Sequence, residues 1–276
     1  MINFNGKVYQ DYNSIPSAII KYFYLNLVFE YQLRWENGQS VFVENHYFKI
    51  MSQLRRLRLN IPMFYTLDFF IDQINKTLVN YNSNSYIVTL KFANDSEVKF
   101  NSYNPKLILS ISANEIDALK LKKFKTINQI SFFNDYNFTD QEFGTISFLQ
   151  KDLKRIASID AFENGFVDSI ILNKQKLVIG SVLGNIFLFK GNKIITPSIN
   201  IGVESIVISD MFIDFIKKND YEFAYENFGI FELQTADEIS ILSTKNGINP
   251  VLKFRKKTYA NENILKIFNS FIDEVI

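Results

Sequence analysis

The sequence predicts an α+β protein built as two domains, and three observations carry that prediction. Asn-Gly pairs flanked by strand-like runs, at Asn5-Gly6 and Asn37-Gly38, mark tight antiparallel hairpins. Apolar residues at helical spacing lie beside such strands, which places helices against an antiparallel sheet. The polar stretch 114–126, with Lys120, Lys122, Lys123 and Lys125, interrupts the pattern. It separates a smaller N-terminal α+β domain, residues 1–118, from a larger C-terminal α+β domain, residues 119–276.

In chain order, residues 1–30 read as short strands and a turn, with Ile2–Phe4 and Lys7–Tyr9 across Asn5-Gly6. Val28–Trp35 and Ser40–Val43 flank the second Asn-Gly pair. Residues 45–58 read as a helix with Asn45 as N-cap and Phe48, Met51, Leu54 and Leu57 along one side. Thr66–Val79 is a cleaner helix, because Leu67, Phe70, Ile71, Ile74 and Leu78 fall on one face. Tyr86–Phe92, Glu97–Phe100 and Lys106–Ala113 read as strands. In the second domain, Phe148–Glu163 reads as a helix stopping before Gly165. Asp168–Leu172 with Leu177–Ile179, and Asn185–Lys190 with Lys193–Ile195, read as hairpins. Val203–Lys218 follows as a helix, Glu238–Ser243 and Ile248–Phe254 as strands, and Asn261–Val275 as an amphipathic closing helix.

Composition narrows the chemistry. Of 276 residues, 47% are hydrophobic and 21% charged, values of a folded chain rather than a disordered one. With 30 Lys and Arg against 29 Asp and Glu, the net charge is +1, so the sequence carries no electrostatic footprint for nucleic acid or an anionic membrane. No run approaches the roughly 18 uninterrupted apolar residues of a membrane span. The N-terminus MINFNGKVYQ lacks the pattern of a signal peptide. A cytoplasmic protein is the resulting expectation. The absence of cysteine removes thiolate nucleophiles and disulfides, and a single histidine, His46, leaves no histidine-rich metal site. No phosphate-binding glycine loop is present. Asp237-Glu238 is a carboxylate pair, but neighbours on a strand face opposite ways and cannot share a site. Lys151, Lys154 and Arg155 read as the solvated basic face of a helix.

One extended pattern remains. Gly180-Ser181-Val182-Leu183-Gly184-Asn185-Ile186-Phe187 is followed by Ile194-Ile195-Thr196-Pro197 and then Val203-Glu204-Ser205-Ile206. Upstream stand Phe29-Glu30 and the stretch 42–54, FVENHYFKIMSQL. Downstream stand Ala236-Asp237-Glu238 and Gly247-Ile248-Asn249-Pro250-Val251. Taken in this order, the segments resemble the class IV aminotransferases, the fold-type IV pyridoxal-phosphate enzymes. That group includes branched-chain and D-amino acid aminotransferases and aminodeoxychorismate lyase. The resemblance covers nearly the whole chain and implies a two-domain fold-type IV architecture, pyridoxal phosphate as cofactor, and a homodimer.

The same resemblance implies particular site residues. The family's lysine, which forms the imine with the cofactor aldehyde, lies ten residues before a helical alanine matched here by Ala157. Ser147 therefore occupies the Schiff-base position. Lys151 lies one helical turn later, about 6 Å along the axis, and is the substitute under an alternative reading: a working pyridoxal-phosphate aminotransferase or aminodeoxychorismate lyase with a displaced lysine. The family's glutamate beside the pyridine nitrogen is Gly180 here. Its phosphate-binding arginine is Lys49, which keeps charge without the bidentate fork. The turn Ser205-Ile206-Val207 precedes a helix whose N–H groups suit an anion, Ile208 stands where a basic residue is expected, and Thr244 matches a phosphate-binding hydroxyl. A Tyr-Gly-Asp-Gly run of relatives is Tyr24-Leu25-Asn26-Leu27. The resulting expectation is a class IV aminotransferase-like protein without transaminase or lyase chemistry and without covalent cofactor, keeping a pocket for a small anion at Lys49, Gly180, Ser205–Val207 and Thr244.

Overall fold

Asn5 and Gly6 both adopt positive φ, 50° and 91°, and turn β1 (Ile2–Phe4) directly back into β2 (Lys7–Tyr9). That twist suits a two-residue hairpin, and Asn and Gly reach it at little cost. The computed structural model describes residues 1–94, 106–117, 125–138 and 146–275. The strand expected at Glu97–Phe100 lies outside the described residues. The chain divides into two compact units, Met1–Ala118 and Leu119–Ile276.

In the first unit, α1 (Ser17–Leu25) forms where the sequence suggested only strands and a turn. Pro16 opens it, its carbonyl accepting from the N–H groups of Ile19 and Ile20. Isoleucine and the aromatics favour strands, but packing overrides them: the ring of Phe23 is buried 4.8 Å from that of Phe4. Next come β3 (Leu27–Glu36), β4 (Gln39–Ser40), α2 (Val43–Arg56), α3 (Leu67–Leu78), β5 (Ser85–Asn94) and β6 (Leu107–Glu115). The sheet is antiparallel throughout, in the order β2-β1-β6-β5-β3-β4. Phe42, in the left-handed region at φ 62°, is the N-cap of α2, so Asn45 lies inside the helix rather than at its start. Thr66 caps α3 by accepting from Phe69 N–H at 3.2 Å. Phe70 and Ile74 of α3 and Ile50 and Leu54 of α2 are buried, as are Phe29 and Phe92 of the sheet, whose rings stack at 5.7 Å.

The second unit holds β7 (Ser131–Phe132), α4 (Lys151–Glu163), β8 (Ser169–Leu172), β9 (Val178–Ser181), β10 (Asn185–Lys190) and β11 (Lys193–Thr196). It continues with α5 (Val207–Lys218), β12 (Glu222–Tyr225), β13 (Glu238–Ser243), β14 (Gly247–Pro250), β15 (Lys253–Phe254), β16 (Lys257–Thr258) and α6 (Asn263–Val275). A five-stranded sheet runs β12-β11-β10-β13-β14, antiparallel except for the parallel pair β11–β12; a three-stranded sheet runs β7-β8-β9. α5 and α6 pack on the larger sheet through Phe187, Phe212, Phe268 and Phe271, with rings 5.3 to 5.7 Å apart. These four phenylalanines are accounted for by burial alone.

Three boundaries depart from the sequence reading. The helix expected from Phe148 begins as a 3-10 turn, Ser147–Gln150, and becomes α-helical at Lys151. It stops as expected at Gly165, whose φ of 79° lets Phe166 N–H reach Ala161 C=O. Residues 203–206 are not helical, so α5 starts at Val207. The run 248–254 splits because the chain leaves β13 after Val251 and its next N–H, Leu252, bonds to Ile127 C=O. No helix among the described residues is long and apolar enough to cross a membrane.

Candidate functional site

The segment that carries the sequence resemblance folds into one corner of the second unit. β9 ends in a tight turn closed by Ser181 N–H to Gly184 C=O at 2.8 Å and by Gly184 N–H to Ser181 Oγ at 3.2 Å. Gly180 has φ 140°, and a Cβ built on it would stand 2.9 Å from the carbonyl oxygen of Gly184. Gly184 lies flat on β13, where a Cβ would approach the carbonyl oxygen of Leu242 to 2.2 Å. Both glycines are therefore required by this backbone, one by φ and close approach, the other by close approach alone.

Asp168 holds the same turn from beneath. Its Oδ1 accepts from Ser169 N–H at 2.8 Å and from Leu183 N–H at 3.3 Å, and the residue is 1% exposed. Burial pushes its carboxyl up to about 6, against the opposing pull of hydrogen bonds from Ser181, Ser169 and Leu183 and the charge of Lys154. Asn185 opens β10 and donates from Nδ2 to Glu204 C=O at 2.9 Å. The Glu204 carboxylate in turn pairs with Lys154 Nζ, both side chains largely buried. The turn, α4 and the approach to α5 are thereby tied together.

At the start of α5, Ile206 is the N-cap and offers no side-chain cap. Ser205 Oγ donates to Asp210 Oδ2 at 3.2 Å, so a carboxylate already sits in the helix's first turn. Such a group matches the positive end of the helix dipole and competes with any incoming anion. Thr244 lies in the turn between β13 and β14, directly after the strand that Gly184 contacts.

The sequence-derived residues are thus distributed as follows. Gly180 lies on β9, which adjoins β10; Ser205–Val207 lead into α5, which packs on β13, and Thr244 directly follows β13. Ser147 and Lys151 stand at the head of α4, Lys151 exposed to solvent. Ile208 is buried inside α5. Lys49 lies half-buried on α2 of the first unit, beside His46. His46 is buried, shares a 2.7 Å hydrogen bond between its Nδ1 and the Tyr31 hydroxyl, and is driven down to about 3 by burial and the nearby charge of Lys49. It is neutral at physiological pH. Lys154 corrects the sequence reading: it is not part of a solvated basic face but the partner of Glu204. Sequence reasoning also missed Asp168 and Asp210. A lone acid at the head of the apolar run Ser169–Leu172 was the available signal for Asp168. Among the described residues, no group of three or more His, Asp or Glu side chains is arranged to hold a metal.

Against known proteins, the fold recurs among solved aminotransferases. A branched-chain aminotransferase from Thermoproteus uzoniensis, solved with norvaline, superposes with a TM-score of 0.82 over 99% of this chain and 94% of its own, at 14% identity. The pyridoxal-phosphate form of a branched-chain amino acid aminotransferase from Thermobaculum terrenum gives 0.83 over 99% and 93%, at 15% identity. At that identity the likeness speaks to fold alone. In sequence, aminodeoxychorismate lyase of Vibrio harveyi is 28% identical over 95 residues, 34% of either chain. A probable branched-chain-amino-acid aminotransferase of Aquifex aeolicus is 30% identical over 110 residues, 40% of this chain and 35% of its own. These matches span about a third of each relative's length. The model of the amino-transferase class IV family, however, matches residues 27–254, including both the Phe29-Glu30 strand and the whole Gly180 corner. By that match the chain belongs to the class IV aminotransferases.

Proposed function

We propose that this chain is a class IV aminotransferase fold that works without imine chemistry, as a binding protein for a small anionic ligand. The observation that carries the reading is the space at Gly180. The family places a glutamate there to keep the pyridine nitrogen protonated. Here even a Cβ would meet the Gly184 carbonyl at 2.9 Å, so the backbone has no room for any side chain. A serine at position 147 supports the same reading, since a hydroxyl forms no imine. The residues present do not fit covalent pyridoxal phosphate, and no catalytic step is assigned.

The retained feature is the start of α5. Backbone N–H groups at Ser205–Val207, with Thr244 on the neighbouring turn, suit a phosphate or carboxylate. Asp210 already takes the Ser205 hydroxyl, so binding there is weak. Assembly as a homodimer belongs to the same reading. Large apolar side chains left on the surface of the first unit support it, among them Met63 at 99% exposure and Phe48 at 67%.

The test is chemical. Purified protein is incubated with pyridoxal phosphate, reduced with borohydride and digested for mass spectrometry. We expect no pyridoxyl adduct within residues 146–275 and no absorbance band of an internal imine. A stoichiometric adduct on Lys151 would establish the alternative, a working aminotransferase or lyase with a displaced lysine.

A further inference from the structure

We propose that a groove of the second unit, away from the Gly180 corner, binds a small amphoteric molecule: a flat apolar body that carries both a carboxylate and an ammonium. The groove has a volume of about 390 Å³, within the range of small-ligand sites. It runs between the segment around β7, the C-terminal end of α4 and the β15–β16 turn.

Arg255 marks the carboxylate end. It sits in that turn at φ 52°. Its guanidinium carbon lies 5.2 Å from the ring centroid of Phe132, 5.5 Å from that of Phe254 and 5.6 Å from that of Phe231. Three rings therefore stabilise the cation and limit its movement. Among the described residues, no carboxylate or carbonyl accepts from it. A guanidinium held by rings, with its fork of donors unused, is preorganised for bidentate capture of a carboxylate.

The rest of the lining sets the ligand's other charge. Asp135 and Asp160 are its other charged groups, two acids against the single Arg255. Asp160 Oδ1 accepts from Asn164 Nδ2 at 3.1 Å, which fixes its orientation; Asp135 has no ion pair among the described residues. A simple anion drawn to Arg255 would meet a lining of net negative charge. A molecule that brings its own cation satisfies both signs. Phe132, Phe166 and Phe254 supply an apolar wall for the ligand's body. An aromatic amino acid is the simplest probe with all three parts. The groove shares no residue with the Gly180 corner, so binding there does not depend on the function proposed above.

The experiment is calorimetric titration of the full chain with L-phenylalanine, 3-phenylpropionate (no amine) and 2-phenylethylamine (no carboxylate). We expect phenylalanine to bind with a Kd near 1 mM, an order-of-magnitude figure for a ligand of its size. Each single-charge analogue should bind about tenfold or more weakly, the worth of one lost charge-assisted contact. Arg255→Ala should weaken phenylalanine about tenfold or more, and Arg255→Lys less, because lysine keeps the charge but not the fork. Arg255 lies on a surface turn, and an unchanged thermal melt establishes that the variants fold. Three outcomes would overturn the proposal: no saturation by about 10 mM phenylalanine, equal affinity for 3-phenylpropionate, or undiminished binding by folded Arg255→Ala.

Discussion

The Cα of Gly180 faces the carbonyl oxygen of Gly184 so closely that a Cβ would stand only 2.9 Å from it, and the contact is with backbone, not with a side chain free to swing away. With φ at 140°, Gly180 is also in a region that side-chain-bearing residues rarely occupy. Gly180→Ala and Gly180→Glu should both destabilise the protein, by about 2–4 kcal/mol in urea denaturation. Alanine costing nearly as much as glutamate would mark the Cβ, rather than the charge, as the cause. Under the proposed function, the double variant Ser147→Lys/Gly180→Glu should show no transamination, because the backbone at Gly180 leaves no room for the added side chain.

Glu238 organises the end of the chain. Its Oε1 accepts from Glu262 N–H at 3.1 Å, from Asn263 N–H at 2.9 Å and from Asn263 Nδ2 at 2.7 Å, while Oε2 accepts from Ile264 N–H at 3.0 Å. A buried carboxylate on β13 thus serves the otherwise unpaired donors at the start of α6. Glu238→Ala should cost about 3 kcal/mol, since it strands several buried donors. Glu238→Gln should cost less but more than nothing, because its amide turns a donor toward N–H groups. Chemical denaturation of the two variants checks the ordering.

Two buried groups pull in opposite directions between pH 4 and 6. Asp168 titrates near 6 in the folded chain against an ordinary 3.8, so the folded state holds the proton more tightly and stability falls as pH rises through that window. His46 titrates near 3 against 6.5, so the unfolded state takes the proton first and stability falls as pH drops below 6.5. The two effects nearly cancel in the native protein. Asp168→Asn should unmask the histidine, with stability falling by up to about 3 kcal/mol from pH 6 to 4. His46→Gln should unmask the aspartate, with stability rising by up to about 3 kcal/mol over the same descent. Denaturation midpoints across pH for the three proteins decide the matter.

The carboxylate of Asp210 occupies the N-terminal turn of α5 and holds Ser205. Asp210→Asn should strengthen the binding of inorganic phosphate about three- to tenfold by removing a repelling charge from the first turn of α5. The gain should fade at high salt. Phosphorus NMR titration of both forms reads the difference.

Much of the architecture was legible because its signals are local. Asn5-Gly6 and Asn37-Gly38 specify φ, the apolar stripe of residues 67–78 specifies a buried face, and Gly165 specifies a helix stop. The order of Asn185-Ile186-Phe187, Thr196-Pro197 and Pro250 was enough to recognise the family. Where packing competes with local preference, the reading failed. Ser17–Leu25 is rich in strand formers and folds as a helix because Phe23 is buried against Phe4. Residues 203–206 look helical, yet they stay non-helical where Asn185 holds the backbone of Glu204.

By itself, then, the amino-acid sequence determined which side chains are available: no cysteine, one histidine, serine at 147 and glycine at 180. Only the tertiary structure decided what the remaining groups do. Lys154 reads as a surface cation until Glu204, fifty residues on, pairs with it. Asp168 reads as an ordinary strand-end acid until burial and the N–H of Leu183 make it the support of a turn. Three separate rings gather around Arg255 from positions 132, 231 and 254. The physical reason is the same in each case: charge and hydrogen-bonding energies depend on distance and desolvation, and both are set by contacts between residues far apart in the chain.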